Sequence, residues 1–495
     1  MALIEAGPAK HRAFKVRAPS LYQTLWRSPL DWAFSTVPQV HCDERRHFWP
    51  RGKLLGGTSC LNAMVYIRGN RANYDAWGVP GWRYADVLPY FLRSEDNARG
   101  ASEYHGTGGP LAVNDHAPSP FAKAFVEATA ARCKVRVTDD FNGAEQEGAG
   151  VYQVTIRDGH RASTATGFLD PVRDRPNLTV ITDALATALV LDGTRVRGVR
   201  IRVRGAEKTL EGREVVVAGG AIGSPHLLLL SGIGPAAELR AAGVEPRHEL
   251  PGVGKHLEDH LLAGVVFETA ITRRLSMPSM LAWMARHAIG RGGPLAAAPV
   301  EAGAFVRSSP TAPIPDIQFH VTPWGLKLPT DAEASPPFGR FASILPGLIY
   351  PRSHGEVRLR SADPTAPPDI DPRYFTDPAD LDHLVAGVRL TREIAGTGPL
   401  GGVLGREVFP GPAVTSDDAL RANIRASCNT IFHPTGTCKM GTDPLAVVDP
   451  QLRVHGLQGL RVADASILPR IIGGNPNAPV IMIAEKAADL LLDAV

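Results

Sequence analysis

An α/β fold, in which a parallel sheet packed with helices is interrupted by an α+β layer carrying an antiparallel sheet, is what the sequence predicts, and three stretches predict it. In Val215–Gly220, VVVAGG, an apolar run of strand length stops at paired glycines; Ser224 then caps a helix with Pro225 at its first position, and Gly232 ends it. Leu460–Val462 is a second short strand that ends in Asp464. The loop after it, Gly473, Gly474, Asn475, Pro476, Asn477, opens a helix and presents free backbone N–H groups. Between these two units Leu261–Thr415 changes character. Pro310, Pro313, Pro315, Pro329, Pro336 and Pro337 mark turns, Asp316–Thr322 and Glu356–Arg360 read as strands, and Pro378–Ile394 reads as a helix.

The bulk composition sets the frame. A chain of 495 residues, 44% hydrophobic and 21% charged, has the core-forming capacity of two domains. Its 53 basic and 50 acidic residues leave a formal charge of +3, with no basic block and no aromatic–basic interleaving, which argues against nucleic acid as a partner. The five cysteines, Cys42, Cys60, Cys133, Cys428 and Cys438, are odd in number and show no CxxC spacing, which fits a reduced compartment and no structural zinc. No apolar run reaches the ~18 residues of a membrane span, and MALIEAGPAKHR carries no export pattern, so a cytoplasmic protein, monomer or homodimer, is expected.

Taken in order, Met1–Ala6 is a short strand ending in Glu5 before the Gly7-Pro8 breaker. An acid in that place either holds a ribose hydroxyl or is a plain surface carboxylate. Pro50–Gly69, PRGKLLGGTSCLNAMVYIRG, has Gly56 and Gly57 where backbone can approach a ligand, with Thr58 and Ser59 offering hydroxyls. Trp77, Trp82, Tyr84, Tyr90 and Phe91 are spaced irregularly, as core aromatics are. Three β-rich runs from Arg175 to Gly220 form a meander against the parallel sheet. In PGVGKHLEDH, His256, Glu258, Asp259 and His260 have no helix-face spacing of the HExxH kind, so no metal is expected. In the Pro-rich layer, Met277, Met280, Leu281, Trp283 and Met284 form either an apolar lid or a buried helix face, and Phe319, Trp324 and Phe338 are candidates to line a pocket. The C-terminal run sets His433 after Phe432 and before Pro434. Such a histidine is either a satisfied core residue or a base, since an imidazole of ordinary pKa ~6.5 is neutral enough to accept a proton.

Three of these stretches together carry a resemblance. Pro50–Gly69, Val215–Pro235 with Pro251–His260 in register, and Ser427–Lys486 resemble the signatures of the glucose–methanol–choline (GMC) flavin-dependent oxidoreductases, in the choline dehydrogenase-like branch. The resemblance implies an FAD-binding, Rossmann-like GMC-type domain over residues 1–112, 178–262 and 427–495, and a substrate-binding α+β domain with an antiparallel sheet over 113–177 and 263–426. It implies FAD contacts at Glu5, Gly56, Gly57, Thr58, Asn62, Met64, Asp464, Ala465, Asn475 and Pro476, with Asp464 otherwise a capping acid. His433 and Asn477, 44 residues apart (477 − 433), stand where the family's histidine and its partner face the flavin. Leu61 replaces the histidine that is covalently tied to flavin in some members, so non-covalent FAD is expected. The implied reaction is oxidation of a primary alcohol to an aldehyde by hydride transfer to flavin N5, with His433 as base and oxygen or a quinone- or dye-type compound as acceptor. A hydroxynitrile lyase activity is the alternative on the same fold. The chain departs from the family pattern at its start, where the G-x-G-x-x-G loop would precede "LIEAGP". Either the reading frame begins upstream, or the phosphate cradle is lost and the product is a remnant unable to hold FAD.

Overall fold

A computed structural model describes residues 1–271, 277–290, 292–324 and 340–493. Pro329, Pro336, Pro337 and Phe338 lie outside the described residues, as do the side chains of Met277 and Met280. Among the described residues no helix is long and apolar enough to cross a membrane.

Parallel pairing occurs at both ends of the chain. Ala2–Ile4 pairs in parallel with Thr179–Ile181, and Val215–Val217 with Leu460–Val462, residue for residue. These short, apolar strands carry no tight turn between them, so their partners come from distant sequence, as parallel pairing demands. An antiparallel meander is present as Ala184–Asp192, Arg195–Val203 and Ala206–Glu211, but the expected runs divide differently: the first also supplies Thr179–Ile181 to the N-terminal strand, and the last, ending at Gly220, supplies Val215–Val217 to the parallel pair and not to the meander. Helix Asn477–Leu492 opens directly after the glycine loop and buries Ile481, Met482 and Ile483 in one core with Val87 and Phe91 of helix Tyr84–Ser94. Trp77 and Trp82 are buried in that core, and Tyr84 and Tyr90 pack against it, as core aromatics should.

The Pro-rich layer is built on a second, mixed sheet. Its spatial order is Leu404–Phe409, Val265–Thr269, Phe341–Leu348, Ile317–Thr322, Ala302–Val306, Gly148–Val151 and Val137–Thr138, antiparallel except for the last pair. The short strand Leu261–Leu262 joins this sheet and pairs on its other side with Asn429–Thr430. Helix Pro378–Ala395, capped by Asp377 with Pro378 in its first turn, and helix Pro120–Cys133, capped by Ser119, contribute to one shared core with the sheet. Along Ile317–Thr322 the period of two is complete: Ile317, Phe319 and Val321 enter that core, and Gln318, His320 and Thr322 take the opposite face. Phe319 is therefore a core residue, its ring 5.9 Å from that of Phe125, and not a pocket wall.

The helix after Val215–Val217 starts earlier than expected. It runs Gly220–Leu230, with Pro225 inside it. Ser224 caps from within the first turn, its Oγ accepting from Gly219 N at 2.9 Å, while Asp464 Oδ2 accepts from Gly220 N at 2.9 Å. An internal proline has no N–H for the carbonyl one turn back, at Ala221. The buried Thr437 hydroxyl donates to that carbonyl instead, at 2.6 Å. Gly232, at φ +79°, ends the helix in the left-handed region. Thr437→Val keeps the shape of the side chain and strands the Ala221 carbonyl, so it should cost about 1–3 kcal/mol, read as a lowered urea midpoint. Thr437→Ser should stay close to the parent, and an unchanged midpoint for the valine variant would show that the carbonyl has another donor.

Candidate active site

The site forms where two distant segments meet edge to edge. Asn429–Thr430 pairs with Leu261–Leu262, and Glu258 bridges Thr435, so the histidines at 260 and 433 are held between two points of antiparallel pairing. Ile431 N donates to His260 O at 3.1 Å. The backbone then turns sharply: Phe432 sits at φ +68°, a strained conformation for a bulky side chain. Three groups hold it there. Arg51 Nη2 donates to Phe432 O at 2.6 Å, His433 N donates to Asp259 Oδ1 at 2.8 Å, and the Trp26 ring packs edge-on to Phe432 at 5.3 Å. Tyr374 OH donates to the other Asp259 oxygen at 2.6 Å.

The His433 ring is fixed at both nitrogens. Its Nδ1 lies 2.9 Å from His260 Nδ1, and its Nε2 lies 3.3 Å from Asn475 Nδ2. His260 Nε2 lies 3.0 Å from Ile349 O, and Gln318 Nε2 donates to Asn475 Oδ1 at 3.0 Å. Burial pushes the His433 pKa well below the ordinary imidazole value, helped by His260, His320 and Arg51. Burial alone takes His320 down to about 4, and His260 falls to about 3 by burial first. Both ring nitrogens of His320 and the Oε1 atom of Gln318 are buried without a hydrogen-bond partner. Beside this neutral cluster, burial raises Asp259 to about 6, against its hydrogen bonds from Thr430, Tyr374 and His433, and Glu258 to about 7.

The amide that meets the imidazole is thus Asn475 and not Asn477. Asn477 is the first residue of its helix, and among the described residues no hydrogen bond joins it to His433. Pro476 immediately precedes the helix. Asp464 takes the capping role. Its carboxylate accepts from Gly220 N, Ser224 Oγ and Ser466 N, and Ala465 O accepts from Gly436 N. Glu5 turns inward: Oε1 accepts from Gly7 N at 2.7 Å, and burial raises its pKa to about 7. In the other glycine loop, Gly56 and Gly57 are both left-handed, at φ +92° and +52°. A Cβ at Gly57 would meet nothing within 4 Å, so this backbone lies open to a ligand. Thr58 Oγ1 accepts from Gly52 N, and Asn62 Oδ1 accepts from both Met64 N and Arg161 Nη1, which ties the loop down; Met64 itself is buried at φ +62°.

Trp324 packs with Leu262, Leu345 and Ile431, beside the histidine-bearing segment. On helix Met277–Gly290, Trp283 and Met284 pack on Ala18, Leu21 and Leu295, while Leu281 is exposed. His354, which the sequence reading passed over, stacks on His256 at 4.6 Å and places Nδ1 3.3 Å from Glu258 Oε1. The residues missed at the site itself are Asp259, His260, Gln318 and His320. A signal for the last two was present in the alternating I-Q-F-H-V-T strand, whose polar face had to point somewhere.

Comparison with known proteins places these features in context. Sequence profiles described as GMC oxidoreductase match residues 21–262 and 351–484. The chain is 42% identical over its whole length to "Alcohol dehydrogenase [acceptor]" of Pseudomonas putida, covering 91% of that protein. It is 40% identical over 99% of its length to the mitochondrial choline dehydrogenase of Homo sapiens, covering 85% of it. Among solved structures, pyridoxine 4-oxidase from Mesorbium loti superposes with a TM-score of 0.90 at 33% identity, over 99% of this chain and 94% of that one.

The titratable groups give the site a defined acid response. The rings of His260, His320 and His433 stay neutral in the fold and take up protons on unfolding below their free pKa of ~6.5. Glu258 and Asp259 act oppositely, since their raised values make the folded protein hold protons that the unfolded chain releases. Three protons gained against two lost leaves about one taken up on unfolding between about pH 6 and 5, so this cluster should cost about 1.4 kcal/mol of stability per unit of acidification. Urea titrations at a series of pH values check the sign. Stability rising into acid would show that the carboxyls outweigh the rings.

Proposed function

The chain belongs to the GMC oxidoreductase family and is an FAD-dependent oxidoreductase acting on CH–OH donors; from that premise we propose that it oxidises a primary alcohol to an aldehyde, with His433 as base and Asn475 orienting the reacting oxygen. The observation that carries the reading is the 3.3 Å pairing of His433 Nε2 with Asn475 Nδ2 at the mouth of a helix. An uncharged imidazole beside an amide donor can receive a hydroxyl proton while the amide N–H holds the oxygen in place. The open, left-handed backbone at Gly57 and the buried, unpartnered polar atoms of Gln318 and His320 fit a large polar ligand in this part of the fold. Gly56, Gly57 and Thr58, with the backbone at Ala465, Asn475 and Pro476, would hold FAD. When bound, FAD supplies acceptance of the hydride that leaves the alcohol carbon. The rest falls to the protein: His433 takes the proton from oxygen, and Gln318 keeps the Asn475 amide turned so that its N–H points to the reaction.

An uncharged alcohol suits the site better than a quaternary ammonium such as choline. A cation of that kind needs an aromatic cage or a free carboxylate. The carboxylate bonded to the His433 backbone, Asp259, is already engaged by His433 N, Tyr374 and Thr430, with Arg51 as its counter-charge. The family implies an electron acceptor as well as an alcohol, and a panel of alcohols with oxygen, quinone and dye as acceptors identifies both.

In the flavin-loaded protein, His433→Ala should slow reduction of the flavin by alcohol at least about 100-fold and Asn475→Ala about 10-fold, with Asn477→Ala within about 3-fold of the parent. Stopped-flow absorbance measures all three; equal losses at 475 and 477 would overturn the choice of amide. Since the base is the neutral ring and its pKa is depressed, the rate should also hold as pH falls through 6.5. Flavin attachment is proposed to be non-covalent, because Leu61 is packed among Val16, Leu25, Leu54 and Cys60 and offers no nucleophile. Acid precipitation should then leave the yellow colour in the supernatant, whereas colour retained in the pellet would mean a bond elsewhere.

A further inference from the structure

The hydrogen bonds through the site can run in one direction only. A carbonyl accepts and never donates, so the hydrogen in the 3.0 Å contact with Ile349 O belongs to His260 Nε2. An uncharged imidazole has a single N–H. His260 is fully buried and uncharged, and the Ile472 backbone also bonds its ring; with the one hydrogen on Nε2 toward Ile349 O, Nδ1 is bare. The 2.9 Å contact between the two Nδ1 atoms needs one hydrogen, and His433 is the residue that can supply it. His433 is uncharged too, so its Nε2 carries the lone pair, and this is the nitrogen that faces Asn475 Nδ2. From the other end the same order results. Gln318 Nε2 occupies Asn475 Oδ1, so the Asn475 NH₂ points at the ring. Five groups thus agree, from Gln318 through Asn475, His433 and His260 to the carbonyl of Ile349.

We infer that His260 is a positioning residue that holds His433 in the tautomer with hydrogen on Nδ1 and the lone pair on Nε2, aimed at the reacting hydroxyl. The inference rests on the reading of His433 as base. In the proton step the substrate hydroxyl takes the place of the Asn475 N–H at His433 Nε2, the substrate O–H bond breaks and an Nε2–H bond forms on His433. The Nδ1–H bond to His260 persists throughout, and His260 neither gains nor loses a proton. Without an acceptor at His260 the Nδ1 hydrogen would be buried without a partner, which favours moving it to Nε2 with the Asn475 amide turned away, and the lone pair would then face a wall. A backbone carbonyl two strands away would in this way decide which nitrogen is basic.

The test uses the full-length, flavin-loaded protein with ¹⁵N-labelled histidine rings, read by long-range ¹H–¹⁵N correlation spectra and by stopped-flow reduction with an alcohol. The His433 signals are those lost in His433→Ala. In the parent, Nδ1 should be protonated and Nε2 bare. His260→Phe should shift the hydrogen to Nε2 and slow flavin reduction about 100-fold. His260→Gln keeps an acceptor for His433 and a donor for Ile349 O, so it should restore the parental tautomer and bring the rate within about 10-fold of the parent. A parent spectrum with the hydrogen on Nε2 overturns the inference, as does a His260→Phe protein that keeps Nδ1–H and full rate. The spectrum of the parent and the glutamine variant decide the matter even if the phenylalanine variant does not fold. Failure of the underlying reading looks different: His433→Ala would then reduce flavin normally, while the tautomer of the parent stayed as assigned.

Discussion

The contact between His260 and His433, two uncharged imidazoles 2.9 Å apart and 173 residues apart in sequence, constrains most of what surrounds it. Each ring must be kept from protonation, because two charged rings at that distance would repel, and each must find a hydrogen-bond partner for every buried nitrogen. Burial meets the first requirement. The second is met by a backbone carbonyl at Ile349 and an amide at Asn475, drawn from two further segments. The site is therefore assembled from four pieces of chain, none of which could form it locally.

Such an arrangement needs rigid anchors, and the structure concentrates them on the backbone of the His433 loop. Phe432 is held in a left-handed conformation by a guanidinium on its carbonyl and a carboxylate on the next amide. These are charge-assisted bonds, about twice as strong as neutral ones, at the point where strain must be offset. The same economy recurs at helix Gly220–Leu230, where Asp464 caps the start and Thr437 repairs the gap left by Pro225. Thr437 lies four residues past His433, so the segment that carries this histidine also completes the helix of the parallel-sheet layer.

How far these features were legible in the sequence depends on the range of the interaction that decides them. Helix Pro378–Ala395 and strand Leu460–Val462 follow from local pattern and capping to within a residue or two, whereas the third strand of the meander, Ala206–Glu211, lies ahead of the apolar run that ends at Gly220, which pairs in parallel instead. The parallel strands could be seen as strands, but their partners could not, since parallel pairing leaves no turn to mark it. Pro225 looked like a helix start because the donor that lets it sit inside, Thr437, is more than two hundred residues away. Phe319 looked like a pocket residue because aromatics suit pockets, although alternation with Gln318 and His320 already placed it on the other face. Asn475 and Asn477 are chemically identical, and spacing along the chain could not tell which amide would meet the His433 ring. His260 sat in plain view in EDH, yet nothing local shows that a histidine lies opposite another from far along the chain.

The polar face of strand Ile317–Thr322 carries the argument one step further. Gln318 Oε1 and both nitrogens of His320 are buried without partners, an arrangement that costs about 1–3 kcal/mol per group when left unmet. A core strand would be more stable with apolar residues there, as Ile317, Phe319 and Val321 show on the reverse face. Retaining polar groups on the side that bonds Asn475 makes sense only if something polar completes them. Every ring in the cluster is uncharged, so what the face demands is hydrogen bonds and not a counter-charge. A group that both donates and accepts hydrogen bonds meets that demand.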